Sequence, residues 1–496
     1  YRVSTLKSEP SLKLYDSASH ALVSLAPTVT PGKVTIYLCG ATVQGSPHIG
    51  HMRSAIAFDV LTRWLEYCGQ EVVLVRNVTD IDDKILAKSA QAGAPWWAWA
   101  YRYEREFSAA YQALGVKDPT YEPHATGHVP DMIDLVQRLI DAGHAYVGSP
   151  GNVYFSVRSL PDYGSLTNQS LDQLRSTEDE SQIDDAVEAD KRDPRDFALW
   201  KAAKPSEPAD ASWDTPWGRG RPGWHLECSA MSRRYLGDTF DIHGGGIDLR
   251  FPHHENEQAQ SHGAGWPFVR IWVHNAWVTI KGEKMSKSLG NSLVVSELLK
   301  QYSAQALRLV IGTTHHRSTV EFSPDTLEDA QALWDRFSGA LVRAVKLAPE
   351  LAEVDLTQVA VTSEFRAAMD DDLNLAGAMT QIHAALKHLN VALSEAEAGQ
   401  GEATQVAEAA NQLRVMLDIL GLDPLSPVWA RAGASEENAD NAALAALGNL
   451  VENLLEQRAS ARKEKDWGRA DAIRNALASA GVVVEDSPTG ARWHLG

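Results

Sequence analysis

The chain has 496 residues, 44% of them hydrophobic, and its 46 Lys and Arg against 65 Asp and Glu give a formal net charge of −19. That length calls for roughly two to four domains. The acidic balance argues against general nucleic-acid affinity and leaves room only for a local basic surface. No apolar stretch is long enough to cross a membrane. Cys39, Cys68 and Cys228, alone in so long a chain, exclude a disulfide framework and favour a reducing, cytoplasmic compartment with metal-bound or buried thiols. The start at Tyr1 rather than Met predicts a trimmed N-terminus, with no signal peptide visible.

Through residues 1–325 the apolar runs Val34–Leu38, Glu71–Arg76 and Phe268–Val273 alternate with helical segments. This is the pattern of an α/β domain with a Rossmann-like parallel sheet. An insertion of about residues 120–215 interrupts it and contains the acidic, Ser-rich stretch Ser170–Arg195. Residues 326–430 carry Ala and Leu at helical spacing and predict a helical domain. Residues 431–441 lack periodic apolar positions and predict a linker. Residues 442–496 form a small mixed module, helical to about Ala480 and then a strand at Val482–Val484.

Four residues in the first domain have metal-ligand chemistry. Cys39 follows the Val34–Leu38 run, Cys228 sits in Trp224-His225-Leu226-Glu227-Cys228, and His253 and Glu257 stand four apart. Thiolate, imidazole and carboxylate are the ligand types zinc prefers. His48-Ile49-Gly50-His51 follows a Gly/Ser/Pro loop and precedes the periodic run Ile56–Leu65. It therefore belongs at a helix N-terminus, where free N–H groups and the helix dipole favour phosphate. Gly50 allows close approach to the backbone there. In Lys284-Met285-Ser286-Lys287-Ser288, two lysines three apart can reach a polyphosphate from one side. Together these features point to ATP-dependent activation of a thiol-bearing amino acid.

The two short motifs resemble those of class I aminoacyl-tRNA synthetases. Cys39-Gly40-Ala41-Thr42-Val43, Arg76–Lys84, Pro222–Met231 and Asp241–Leu249 narrow the resemblance to the cysteinyl-tRNA synthetases, from about residue 12 to the end. One departure is Gln44, where that family often has tyrosine. The resemblance implies one Zn2+ held by Cys39, Cys228, His253 and Glu257. The four-residue spacing puts the last two on one helical face, whereas His254 would project about 100° away. Zinc lowers the pKa of a substrate thiol. Serine and alanine offer no comparable soft ligand, so discrimination of about 10⁴ needs no editing step.

The implied reaction joins L-cysteine and ATP as cysteinyl-adenylate, then transfers cysteine to tRNA(Cys). His48 and His51 would hold phosphates, Lys287 would stabilise the transition state with Lys284 in support, and Asp248 would accept from the ribose hydroxyls. Gly244, Gly245 and Gly246 would give adenosine room, and Mg2+ would accompany ATP. The terminal module would read the anticodon through Arg462, Trp467, Asp471 and Asp486, beside a basic run of Arg458, Arg462, Lys463, Lys465, Arg469 and Arg474. Trp467 offers a stacking surface, or else fills the module's core. A monomer is the family expectation. A cysteine ligase acting on an amino-sugar and a non-catalytic tRNA-binding paralogue are the alternatives. The 440–496 segment argues against the first, and intact His48, His51, Lys284 and Lys287 against the second.

Overall fold

Strands buried over most of their length assemble into a four-stranded sheet. Its order is Phe268–Asn275, Thr239–Gly246, Lys33–Leu38, Glu71–Arg76. Every pairing is parallel, as the alternation of strand and helix demands. The computed structural model describes residues 10–171, 189–280, 283–284, 293–432, 451, 453–487 and 490–495. Two units divide the chain, Tyr1–Ser426 and Pro427–Gly496.

In the first unit, the helix Ile49–Tyr67 crosses between the strands Lys33–Leu38 and Glu71–Arg76 and buries Ile49, Met52, Ile56, Val60 and Trp64. Strand order reverses between Lys33–Leu38 and Thr239–Gly246, which makes their carboxyl ends the expected place for a ligand. Gly244 reflects how closely helix and sheet pack. A Cβ there would fall 1.9 Å from Phe58 Cζ, so this glycine makes room for a phenylalanine rather than for adenosine. A Cβ at Gly245 would meet His254 Cε1 at 3.0 Å, and of the three glycines Gly246 borders the cavity described below.

The insertion is ordered around the antiparallel strands Ala145–Val147, Val153–Phe155 and Phe197–Ala202, and Gly220–Pro222, beyond its expected end, completes the sheet. Residues 172–188 of its acidic stretch lie outside the described residues. Helix Ala304–Gly312 then leads to the helices Pro324–Leu347, Ser363–Asp370, Leu375–Glu397 and Ala403–Ile419. Arg308, fully buried, ties these layers together. Its guanidinium donates to Asp59 Oδ2 at 2.5 Å, to the Leu114 carbonyl at 2.9 Å and to the Leu420 carbonyl at 2.8 Å. Burial opposes ionisation of Asp59, but Arg63 and Arg308 hold its carboxyl down at about 2.

The second unit contains a helical run 453–463, the helix Trp467–Ser479 and a hairpin of Val482–Ser487 with Gly490–Leu495. Val451, Leu477 and Val482 form its small core. The expected linker falls mostly outside the described residues, except that 431–432 end the short helix Pro427–Ala432.

Candidate metal and nucleotide site

Three chain segments converge beyond the strand ends. Cys39 directly follows the strand Lys33–Leu38, Cys228 lies in the helix Trp224–Leu236, and His253 and Glu257 flank the start of the helix Glu255–Gly263. Their ligand atoms all lie within 4.8 Å of one another. Cys39 Sγ is 3.6 Å from Cys228 Sγ and 3.4 Å from Glu257 Oε1, and His253 Nε2 is 2.9 Å from the same oxygen. A tetrahedral ion with zinc–sulfur bonds of ~2.3 Å and zinc–oxygen bonds of ~2.0 Å needs S–S and S–O separations of about 3.8 and 3.5 Å. The donor set therefore fits zinc in chemistry and in its S–S and S–O spacings, while His253 Nε2 and Glu257 Oε1 stand at hydrogen-bond distance, 2.9 Å against the ~3.3 Å of a tetrahedral ion. A sulfur pair this far apart is not a disulfide.

Shifts within the cluster divide between the two thiols: burial, then Cys228 and Glu257, push the Cys39 thiol well above its usual range. Burial raises the Cys228 thiol, but the Cys39 thiol and His253 outweigh it and bring it down to about 6. Burial disfavours the His253 imidazolium, yet Glu257 and Cys228 hold it up at about 10. Burial raises Glu257, while His243 and His253 pull it to about 2. His253 and Glu257 thus hold each other in their charged forms in a dry site.

His254 does not point away. The chain is kinked at Phe251, extended at φ −139° and ψ 134°, and is helical again from His254 onward. His254 Nε2 comes within 3.3 Å of Cys39 Sγ, and its Nδ1 within 2.8 Å of His274 Nε2. Cys39, His243, His254 and Glu257 thus form a second possible ligand group. His225 also contacts the cluster, with its Nδ1 3.1 Å from His253 Nδ1. Neither His225 nor His243 belongs to the four ligand candidates read from the sequence. No sequence signal marks His243, whose complete burial emerges only in the fold.

Above the cluster opens a cavity of ≈320 Å³ bordered by Cys39, His48, Gly50, His51, Trp224 and Asp248, among others. His48 is the N-cap of the helix Ile49–Tyr67. Its backbone N–H donates to His51 Nδ1 at 3.1 Å, and the two rings stack at 3.6 Å. With Nδ1 accepting, the neutral His51 ring carries its proton on Nε2. Trp224 stacks on His253 at 4.2 Å and so joins cavity to cluster. Gln44 also borders the cavity and accepts from Lys88 Nζ at 2.7 Å. Lys284 closes a two-residue strand paired with Thr279 and Ile280. Lys287 lies outside the described residues.

In the second unit Trp467 is 59% exposed and takes no part in the core. It begins a helix capped by Asp466, whose Oδ1 accepts from the Arg469 N–H at 3.0 Å. Arg462, Lys463, Lys465, Arg469, Asp471 and Arg474 are exposed around it, whereas Arg458 is buried. The phosphate-reaching run is therefore shorter than its sequence suggests. Asp486 lies on the strand Val482–Ser487.

Residues 25–332 match the family model of the class I (C) tRNA synthetase catalytic domain, 364–424 a DALR domain, and 430–493 a cysteinyl-tRNA ligase anticodon-binding domain. The chain is 57% identical over 488 residues to the cysteine–tRNA ligase of Beutenbergia cavernae, covering 98% of this chain and 99% of that protein. It is 52% identical over 486 residues to the one from Streptomyces coelicolor, covering 98% and 76%. In fold it is similar to Mycobacterium tuberculosis methionyl-tRNA synthetase in complex with methionyl-adenylate, with a TM-score of 0.53 at 16% identity, covering 80% of this chain and 92% of that one. A leucyl-tRNA synthetase from Agrobacterium radiobacter gives 0.55 at 12% identity, covering 82% and 86%. The chain belongs to the cysteine–tRNA ligase family of class I aminoacyl-tRNA synthetases.

Proposed function

We propose that this enzyme activates L-cysteine with ATP and transfers it to tRNA(Cys), recognising the amino acid through one zinc ion. The observation that carries this reading is the buried Cys39, Cys228, His253 and Glu257 cluster against a cavity bordered by His48, Gly50 and His51. When bound, zinc would take the cysteine side chain as a thiolate, a soft ligand that serine and alanine lack.

The substrate carboxylate is already nucleophilic, so no general base is required. A carboxylate oxygen forms a bond to the α-phosphorus as the bond to pyrophosphate breaks, and the chain's part is positioning and charge stabilisation. The helix N-terminus at Ile49, with His48 and His51, holds phosphate; Gly50 lets it approach the backbone. Asp248 accepts from the ribose hydroxyls, and Lys287, supported by Lys284, neutralises the departing pyrophosphate, with Mg2+ arriving on ATP. In the terminal module Arg462, Trp467, Asp471 and Asp486 read the anticodon, Trp467 by stacking and the others by hydrogen bonds. The match of residues 430–493 to an anticodon-binding domain favours tRNA over an amino-sugar as acceptor. The enzyme works as a monomer in the cytoplasm; among the described residues no helix is long and apolar enough to cross a membrane.

The test is cysteine-dependent ATP–pyrophosphate exchange, followed by charging of tRNA(Cys). Exchange with cysteine but not serine, and cysteine appearing on the tRNA, is expected. Exchange without any tRNA charging would overturn the acceptor.

A further inference from the structure

Glu257 offers its two carboxylate oxygens to different neighbours. Oε1 lies 2.9 Å from His253 Nε2 and 3.4 Å from Cys39 Sγ, whereas Oε2 lies 2.8 Å from His243 Nε2. The side chains of His243 and Glu257 are both wholly inaccessible to solvent. A carboxylate only accepts, so His243 donates through Nε2. Its ring is fixed from several sides. It stacks on Trp272 at 4.5 Å and meets Tyr37 edge-on at 5.3 Å. Trp272 and Tyr37 are its register partners on the two neighbouring strands. The imidazole cannot turn without disturbing the middle of the sheet.

We infer that His243 is a positioning residue that ties back one oxygen of Glu257, so that the other alone is presented to the ion. This rests on the proposed zinc site. It also separates the two overlapping ligand groups. In the group of Cys39, Cys228, His253 and Glu257, His243 stands behind the carboxylate, and His254 stands behind Cys39 in the same way. A ligating carboxylate held by an outer hydrogen bond keeps its orientation, and losing such a partner typically weakens metal binding.

The test measures zinc affinity of the full-length enzyme by competition with a chromophoric chelator, for the wild type, His243→Ala and His243→Gln. Cobalt(II) spectra and melting curves of each accompany it. His243→Ala should lose about 10–100-fold in zinc affinity and raise the KM for cysteine more than it lowers kcat at saturating zinc. His243→Gln, whose amide N–H can replace Nε2–H, should recover most of the loss. Cobalt spectra should show unchanged ligand types. Wild-type zinc affinity in His243→Ala, or equal loss in both variants, would overturn the inference in favour of packing alone. Loss of a nitrogen ligand from the cobalt spectrum would make His243 a ligand and equally overturn it. A wild type that takes up no zinc would bring down the metal reading itself, and the inference with it.

Discussion

Cys39, Cys228, His253 and Glu257 are at most 9% exposed, whereas Trp467 in the second unit is 59% exposed and stands among exposed Arg462, Lys463, Lys465 and Arg469. The first region encloses its donors so that charges act through little water and each partner is positioned before a ligand arrives. The second leaves an aromatic face and cations in solvent, where the attraction is weaker, longer in reach and screened by salt. A small substrate told apart by one sulfur atom needs the first arrangement. A large polyanion read at its unpaired bases suits the second.

The largest expected effect that bears on this contrast lies on the chemical side. Lys287→Ala should lower the rate of pyrophosphate exchange by about 10²–10³-fold with little change in cysteine affinity, because its charge matters most as pyrophosphate leaves. Equal weakening of rate and affinity would assign the lysine to ground-state binding. Next comes the exposed side. Removing residues 440–496 should spare exchange and cut tRNA charging by about 10-fold or more, and wild-type charging should weaken with salt more steeply than that of the truncated enzyme. Unimpaired charging would remove the anticodon role from this module.

The smallest effect concerns the frame around the buried site. Asp59 has its folded pKa depressed to about 2 by Arg63 and Arg308, against the opposing effect of burial. A depressed carboxyl stabilises the fold above its unfolded pKa near ~3.9, by about 2 kcal/mol at neutral pH, and loses this as pH falls toward its folded value. Asp59→Asn should therefore flatten the fall in stability of the first unit between about pH 4 and 2. An unchanged acid profile would show that Arg308 and Arg63 do not favour the ionised form.

The sheet strands and the His48–His51 helix start were legible because each depends on local pattern: alternating apolar runs, a polar loop, then helical spacing. The four metal-binding candidates were legible by residue type. The closeness of His254 to Cys39 was not legible, because Cys39 lies 215 residues earlier and meets it only in the folded chain. His243 was missed because its partner is 14 residues away, across a strand and a turn. Gly244 depends on Phe58, on a helix far earlier in the chain. Arg458 reads in the sequence as one more surface cation, and the fold buries it. What a residue faces across the chain is set by packing, and composition does not carry it.

Recognition of the thiol rests on the buried cluster holding a metal. The most direct measurement is the metal content of purified, catalytically active enzyme. One zinc per chain is expected, lost together with cysteine-dependent exchange when Cys228 is changed to serine. Zinc near zero in a fully active enzyme would contradict it.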